Sequence, residues 1–288
     1  MSILTVCHST VYRYREPVGL GEHRMMFRPR ASHDLRLIRT NLAIWPQPSR
    51  LRWLHDSFDN SVAVATFEGT TTELRFESTA TLEHVEATLL EYPLEEHART
   101  YPFRYSDEDF PNLGRALARR YPGDGVAKWA LRCLDPADST GTMTMLLAMT
   151  RSIREEFTYV RRVEKGVQTP EQTLQMGRGS CRDLAVLMME ACRSLGIASR
   201  FVSGYIYTPD QSGLAGGGAT HAWMQAYLPG AGWIDFDPTN TIIGNRNLIR
   251  VAVAWAPEYV LPLCGTYAGS VEAFIAMDVN VNVTELAQ

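Results

Sequence analysis

Three residue types in the second half of the chain, cysteine, histidine and aspartate, are placed so that they can do covalent chemistry together. Cys181 lies in Gly177-Arg178-Gly179-Ser180-Cys181-Arg182-Asp183, where a glycine-rich turn runs into a helical pattern. The free backbone N–H groups and the positive end of a helix dipole favour an anion at that position. A thiolate is such an anion and the reactive form of cysteine, and the same N–H groups can hold an oxyanion formed beside the sulfur. Gly177, Gly179 and Ser180 leave room for a carbonyl to approach. A nucleophilic thiol needs a base. Of the seven histidines, His221 alone lies in the half that holds Cys181; the other six fall before residue 98. An imidazole there can take the thiol proton and later protonate a leaving amine. The base in turn needs an orienting acceptor. Asp235 and Asp237, in Trp233-Ile234-Asp235-Phe236-Asp237-Pro238-Thr239-Asn240, share one face of a strand, and either can fill that place.

The elements that position these residues can be read from periodicity. Leu184, Leu187, Met188, Ala191, Cys192 and Leu195 recur at steps of one, three and four, which predicts a helix with one buried face, closed by Gly196. Cys192, on that face, reads as inert core. It is eleven residues beyond Cys181, about 16 Å along a helix, too far for a redox disulfide. Ser199 to Tyr207 predicts a strand and a glycine-rich loop follows. His221 to Leu228 and Trp233 to Phe236 then predict a hairpin through Pro229-Gly230-Ala231-Gly232. Upstream, Leu113, Leu117 and Ala118 predict one helix, Val126 to Leu134 a second, and Thr142 to Phe157 a third with Met145, Leu146, Met149, Ile153 and Phe157 in the core.

The first hundred or so residues have a different character. Thr5 to Tyr14, Ile38 to Trp45, Leu51 to Trp53, Ser61 to Phe67 and Leu74 to Leu82 are β-rich runs broken by turn chemistry, as in Asp56-Ser57-Phe58-Asp59-Asn60, and their spacing suggests a sandwich or barrel. A polar stretch with three prolines follows Tyr92. The expected organisation is a β-rich domain over 1–95, a linker over 96–111, and a helices-then-strands domain over 112–288, an α+β arrangement.

The 288 residues are 45% hydrophobic and 21% charged, with a net charge of −4. That balance argues against nucleic acid as a partner, and the basic run Arg24, Arg28, Arg30, Arg36 and Arg39 reads as strand and loop surface. No stretch approaches the roughly 18 apolar residues of a membrane span, and the N-terminus lacks the pattern of an export signal. Five cysteines without CxxC spacing suggest neither a disulfide framework nor a zinc site. The expectation is a cytoplasmic monomer or homodimer with reduced thiols, no membrane partner, no cofactor and no metal.

Taken together, Gly179-Ser180-Cys181-Arg182-Asp183, His221-Ala222-Trp223 and Trp233 to Asn240 closely resemble the bacterial transglutaminase-like superfamily, in which a G-x-C-x-D helix start, an H-A-W strand and a W-x-x-x-D-P-T-N strand carry a triad. The resemblance makes Cys181 the nucleophile, His221 the base and Asp237 the orienter in preference to Asp235. It implies a papain-like core, helices packed on an antiparallel sheet, behind an all-β N-terminal domain. His8-Ser9-Thr10-Val11-Tyr12-Arg13-Tyr14, Pro17-Val18 and Phe27-Arg28-Pro29-Arg30 resemble the β-rich region that precedes that core, although glycine is expected where Asp59 stands. The tail departs further. Ala254 to Tyr259 and Leu263 to Tyr267 lack arginines and acids found in related chains, which implies a different substrate or a weakened site. The implied activity is cleavage of an amide or peptide bond in a peptide or protein through a cysteine thioester. The alternatives are acyl transfer to an amine on the same triad and a non-catalytic peptide-binding module. Tyr159, Gly179, Ser180 and Trp223 are the expected substrate contacts. Asp183 is expected to cap the helix or make a local ion pair.

Overall fold

A computed structural model describes residues 2–86, 92–134, 140–162, 164, 166–209 and 213–286. Its first strand, β1, is unusually long, Ser2–Met25, and organises a seven-stranded sheet with β2 (Leu35–Trp45), β3 (Arg50–His55), β4 (Ser61–Thr66) and β5 (Thr70–His84) in the order β2-β5-β1-β4-β3. Alternation of buried and exposed residues along β1 and β5 is what a sheet covered on one face requires. Two short pairings follow along the chain: β6 (Thr100–Tyr101) with β7 (Thr140–Gly141), and β8 (Thr158–Tyr159) with β9 (Arg178–Gly179).

Between and after these lie the helices α1 (Asp109–Leu117), α2 (Asp124–Leu131), α3 (Thr142–Glu156), α4 (Pro170–Met176) and α5 (Cys181–Ser194). In α1 the buried residues are Leu113 and Ala116, whereas Ala118 lies past the helix end and is exposed, which shifts the expected face. The larger difference is α5. Every residue from Asp183 to Arg193 is buried, not one stripe, because α5 packs against α2, α3 and α4 as well as against the second sheet. Gly196, with φ 74, ends it in the left-handed region as expected.

The second sheet is formed by β10 (Ser199–Ile206), β11 (His221–Leu228), β12 (Gly232–Asp237), β13 (Ile242–Ile243) and β14 (Leu248–Ala254), antiparallel in the order β13-β12-β11-β10-β14. The fold is therefore the papain-like α+β arrangement behind a β-rich region. The chain then returns to the first sheet: β15 (Leu263–Ala268) and β16 (Phe274–Glu285) both pair antiparallel with β1. One apolar cluster runs through both sheets, from Leu4, Val6 and Leu82 to Leu187, Met188 and Phe236. Among the described residues no helix is long and apolar enough to cross a membrane.

Candidate active site

The helix start is built by Asp183. Its Oδ2 accepts from both the N–H and the hydroxyl of Ser180 at 2.8 Å, and its Oδ1 accepts from the Gln168 N–H at 2.7 Å. Arg162 Nη1 donates to both carboxylate oxygens, at 2.8 and 2.9 Å. Asp183 thus makes both the cap and the ion pair expected of it, and these fix the turn that presents Cys181. Gly179 is needed in the same turn, since a Cβ there would come within 2.8 Å of the Asp183 Cβ. It is buried in that contact and does not line the cavity, so its expected part in substrate binding is not where the structure places it.

Cys181, 7% exposed, and His221, 1% exposed, line one cavity of about 460 Å³. His221 opens β11 and Asp237 ends β12. The hairpin between these strands brings the two residues together, and His221 Nε2 donates to Asp237 Oδ2 at 2.8 Å, both side chains fully buried. Asp237 also accepts from the Thr239 N–H at 2.9 Å and from Asn240 Nδ2 at 2.8 Å. Asp235, on the same face, instead takes Trp223 Nε1 at 2.6 Å and Arg250 Nη1 at 2.8 Å, so the two aspartates are separated by their partners. Burial alone lowers the His221 pKa, but the Asp237 charge and hydrogen bond, with a further contribution from the Cys181 thiol, outweigh it and raise the pKa to about 10. The imidazolium is therefore the favoured form at neutral pH. Nδ1 makes no hydrogen bond of full geometry among the described residues, and the Cys181 thiol is close enough to act on it.

The glycine-rich loop before β11 is tethered. Asn240 Oδ1 accepts the Ala215 N–H at 2.7 Å, its Nδ2 donates to the Ala215 carbonyl at 3.1 Å, and the Val281 N–H of β16 donates to the Gly218 carbonyl at 3.1 Å. Gly216, at φ 96, lies so close to His221 that a Cβ would sit 2.5 Å from Nδ1. Ser180 and Tyr159 line the cavity as expected. Burial first, and then the Cys181 charge, raise the Tyr159 pKa, so its hydroxyl keeps its proton and can donate. Trp223, expected as a substrate contact, lies beside the histidine. It is fully buried, stacked against His221 with ring centroids 5.9 Å apart, and supports the imidazole from behind without lining the cavity.

Two models of known families match this chain: the transglutaminase-like superfamily over residues 115–238 and the bacterial transglutaminase-like N-terminal region over residues 4–83. Residues 115–238 thus match the transglutaminase-like superfamily core, behind a segment that matches its bacterial N-terminal region. An uncharacterised protein of Mycobacterium leprae is 26% identical over 290 residues, spanning 99% of both chains. An uncharacterised Mycobacterium tuberculosis protein is 26% identical over 96% of this chain and 91% of its own. A crystal structure from Cytophaga hutchinsonii, named as a candidate cysteine protease, superposes on 100% of this chain and 92% of its own with a TM-score of 0.72 at 19% identity. That likeness bears on the fold.

Three groups at the site were not assigned a role from sequence. Asn240, at the end of the β12 motif, holds both Asp237 and the glycine-rich loop. His8, Thr10 and Tyr12 of β1 line the cavity from the first sheet, and Pro257 to Leu263 line it from the tail. The alternation along β1 predicts which side chains are buried, but carries no signal of what they face. Among the described residues no group of three or more His, Cys, Asp or Glu side chains is arranged to hold a metal ion.

Proposed function

We propose that this protein is a thiol amidohydrolase that cleaves an amide or peptide bond through an acyl-Cys181 intermediate. The observation that carries the reading is the buried His221–Asp237 pair, 2.8 Å apart, which leaves Nδ1 without a hydrogen bond of full geometry in the cavity that also holds Cys181 at a helix start. Sγ attacks the amide carbonyl carbon and a carbon–sulfur bond forms. The carbon–nitrogen bond breaks as His221 Nδ1 gives its proton to the departing amine. Water then attacks the thioester, His221 takes a proton from it, the thiolate leaves, and the carboxylic acid is released. The Cys181 N–H and the Tyr159 hydroxyl are the donors assigned to the oxyanion. The naming of the Cytophaga hutchinsonii neighbour as a candidate cysteine protease agrees with this reading.

The test is alkylation by iodoacetamide at pH 7 with peptide mapping, in wild type and His221→Ala. Cys7 is exposed and serves as the internal standard, while Cys192, fully buried, has its thiol pushed up to about 12 by burial and stays unlabelled. Cys181 is expected to label faster than Cys7 despite its burial, and to slow at least about ten-fold in the variant. Equal labelling of the two thiols, unchanged by His221→Ala, overturns the reading. Adding a primary amine to turnover assays distinguishes hydrolysis from transfer by the product formed.

A further inference from the structure

The cavity around Cys181 has a charge opposite to that of the chain. The whole chain carries −4, yet the charged residues lining the cavity are Arg161, Arg162, Arg182 and a single carboxylate, Glu258. Ion pairs sort them. Arg162 is taken by the buried Asp183 at 2.8 Å and approaches Glu164 at 3.5 Å. Glu258 is taken by Arg120 at 2.5 Å. Arg161 and Arg182 make no ion pair among the described residues, so the cavity keeps two uncompensated positive charges. Their placement is specific. Arg182 follows Cys181 on the first turn of α5. Arg161 follows β8, whose parallel pairing with β9 holds that segment against the same turn. The fields of Cys181, Arg161, Asp237 and Arg182 converge on the Tyr159 hydroxyl, which puts both guanidinium groups in electrostatic reach of the cysteine's neighbour.

Another part of the lining is largely apolar. Pro257, Val260, Leu261 and Leu263 from the tail meet Met277 and Val279 of β16 along the cavity. Leu261 is 38% exposed and Met277 50% exposed, large apolar side chains left open at a rim.

We propose that the acyl donor is an acidic peptide: a carboxylate beside the reacting carbonyl binds Arg161 and Arg182, and an aliphatic or aromatic side chain of the same peptide lies on the 257–263 wall. The inference rests on the thiol-amidohydrolase reading and deepens it. Arg182 is half-buried and Arg161 exposed, and an unpaired guanidinium offers a charge-assisted hydrogen bond to a carboxylate and a weaker one to the corresponding amide. Arg161 and Arg182 are specificity-determining residues in this account, and the chemistry of Cys181 does not depend on them.

The test measures protection of Cys181 from iodoacetamide in the full-length protein, using the hexapeptide Ala-Leu-Glu-Glu-Leu-Ala, its glutamine counterpart Ala-Leu-Gln-Gln-Leu-Ala, and Ala-Ser-Glu-Glu-Ser-Ala. Each rate is normalised to the same protein without peptide. The glutamate peptide is expected to halve the labelling rate at a concentration about ten-fold or more below its glutamine counterpart. The serine peptide is expected to lose most of that protection. The double variant Arg161→Glu with Arg182→Glu is expected to abolish or invert the glutamate preference. Should that variant not fold, the single neutral variants Arg161→Gln and Arg182→Gln, each expected to narrow the preference, replace it. Equal protection by the glutamate and glutamine peptides, no protection by either, or a preference that survives loss of both charges overturns the proposal. Failure of the underlying reading shows separately, as Cys181 labelling indifferent to His221 without any peptide present.

Discussion

At the scale of residues, the site depends on which atoms are given partners and which are withheld. Asp237 is supplied with three donors, from His221, Thr239 and Asn240, whereas His221 Nδ1 is buried with no hydrogen bond of full geometry among the described residues. A buried polar atom without such a bond is unfavourable in a folded chain, and here it is the atom a reacting group must meet. Gly216 keeps it accessible. Its φ of 96 lies where a side chain is strained, and a Cβ would come within 2.5 Å of Nδ1. Gly216→Ala is therefore expected to cost about 1–2 kcal/mol in stability and to slow Cys181 alkylation nearly as far as His221→Ala does. Thermal melts and alkylation rates on one preparation check both. A variant that labels at the wild-type rate would mean that the glycine serves only the loop. The cysteine, the histidine and the two candidate aspartates were legible in the sequence because each stands at a fixed place in a local pattern. The choice between Asp235 and Asp237 needed the resemblance, since the alternation of a strand puts both on one face. Their partners separate them: Trp223 and Arg250 hold Asp235.

At the scale of elements, the same contrast recurs. The ends of α5 were legible from the glycine-rich turn before Cys181 and from Gly196, but its surroundings were not. Glu190 and Arg193 fall outside the apolar stripe, yet both are fully buried and paired at 2.8 Å. Glu190 also accepts the Arg120 and Tyr121 N–H groups, and Arg193 donates to the Ala116, Ser199 and Trp255 carbonyls. Periodicity reports the pattern on one helix, not what covers its other side. α4 went unread although Thr169 and Gln172 form a capping box with Pro170 at its first position; seven residues give too little apolar repeat to notice. In the sheet, Gly204 on β10 is the position that sets the depth of Trp223. A Cβ there would come within 2.2 Å of the Ile249 carbonyl oxygen and 2.7 Å of the Trp223 ring. Gly204→Ala is expected to destabilise the protein by about 1–3 kcal/mol and to push Trp223 off His221. Urea unfolding gives the first quantity, and a slower Cys181 alkylation rate reports the second. A midpoint unchanged from wild type would show that β14 can move aside without loss.

At the scale of the whole molecule, the first sheet is joined to the second by buried polar contacts as well as by the shared apolar cluster. Asn60 mimics a strand, with its Nδ2 donating to the Val253 carbonyl and its Oδ1 accepting the Val253 N–H, both at 2.9 Å. Asp59, just before it, has φ 61, the conformation that accounts for the glycine expected there. Arg30, read from sequence as surface, donates to the Phe58 and Asp59 carbonyls and to Asn60. None of this was legible, because contacts so far apart in the chain leave no local pattern. His8 is the joint nearest the cavity. Its Nδ1 lies 2.8 Å from the Tyr205 hydroxyl and its Nε2 3.0 Å from Thr10 Oγ1, while Tyr205 donates to the Phe27 carbonyl at 3.3 Å. With Nδ1–H donating to Tyr205 and Thr10 donating to Nε2, the set closes on a neutral imidazole. Burial accordingly lowers the His8 pKa to about 4 from its ordinary value of 6.5. The unfolded chain then binds the extra proton first as pH falls. The stability His8 contributes is fully present above pH 6.5 and is lost progressively down to pH 4, by about 3 kcal/mol over that window. His221 adds no slope there, because its raised pKa keeps it protonated in both states; its own contribution is lost on the alkaline side, as pH rises from 6.5 through about 10. Unfolding free energies measured at pH 7 and pH 4.5 in wild type and His8→Gln isolate the effect from the other histidines. The acid-side loss is expected to be smaller in the variant by about 2–3 kcal/mol. Parallel losses in the two proteins would show that the joint between the sheets accepts the imidazolium as readily as water does.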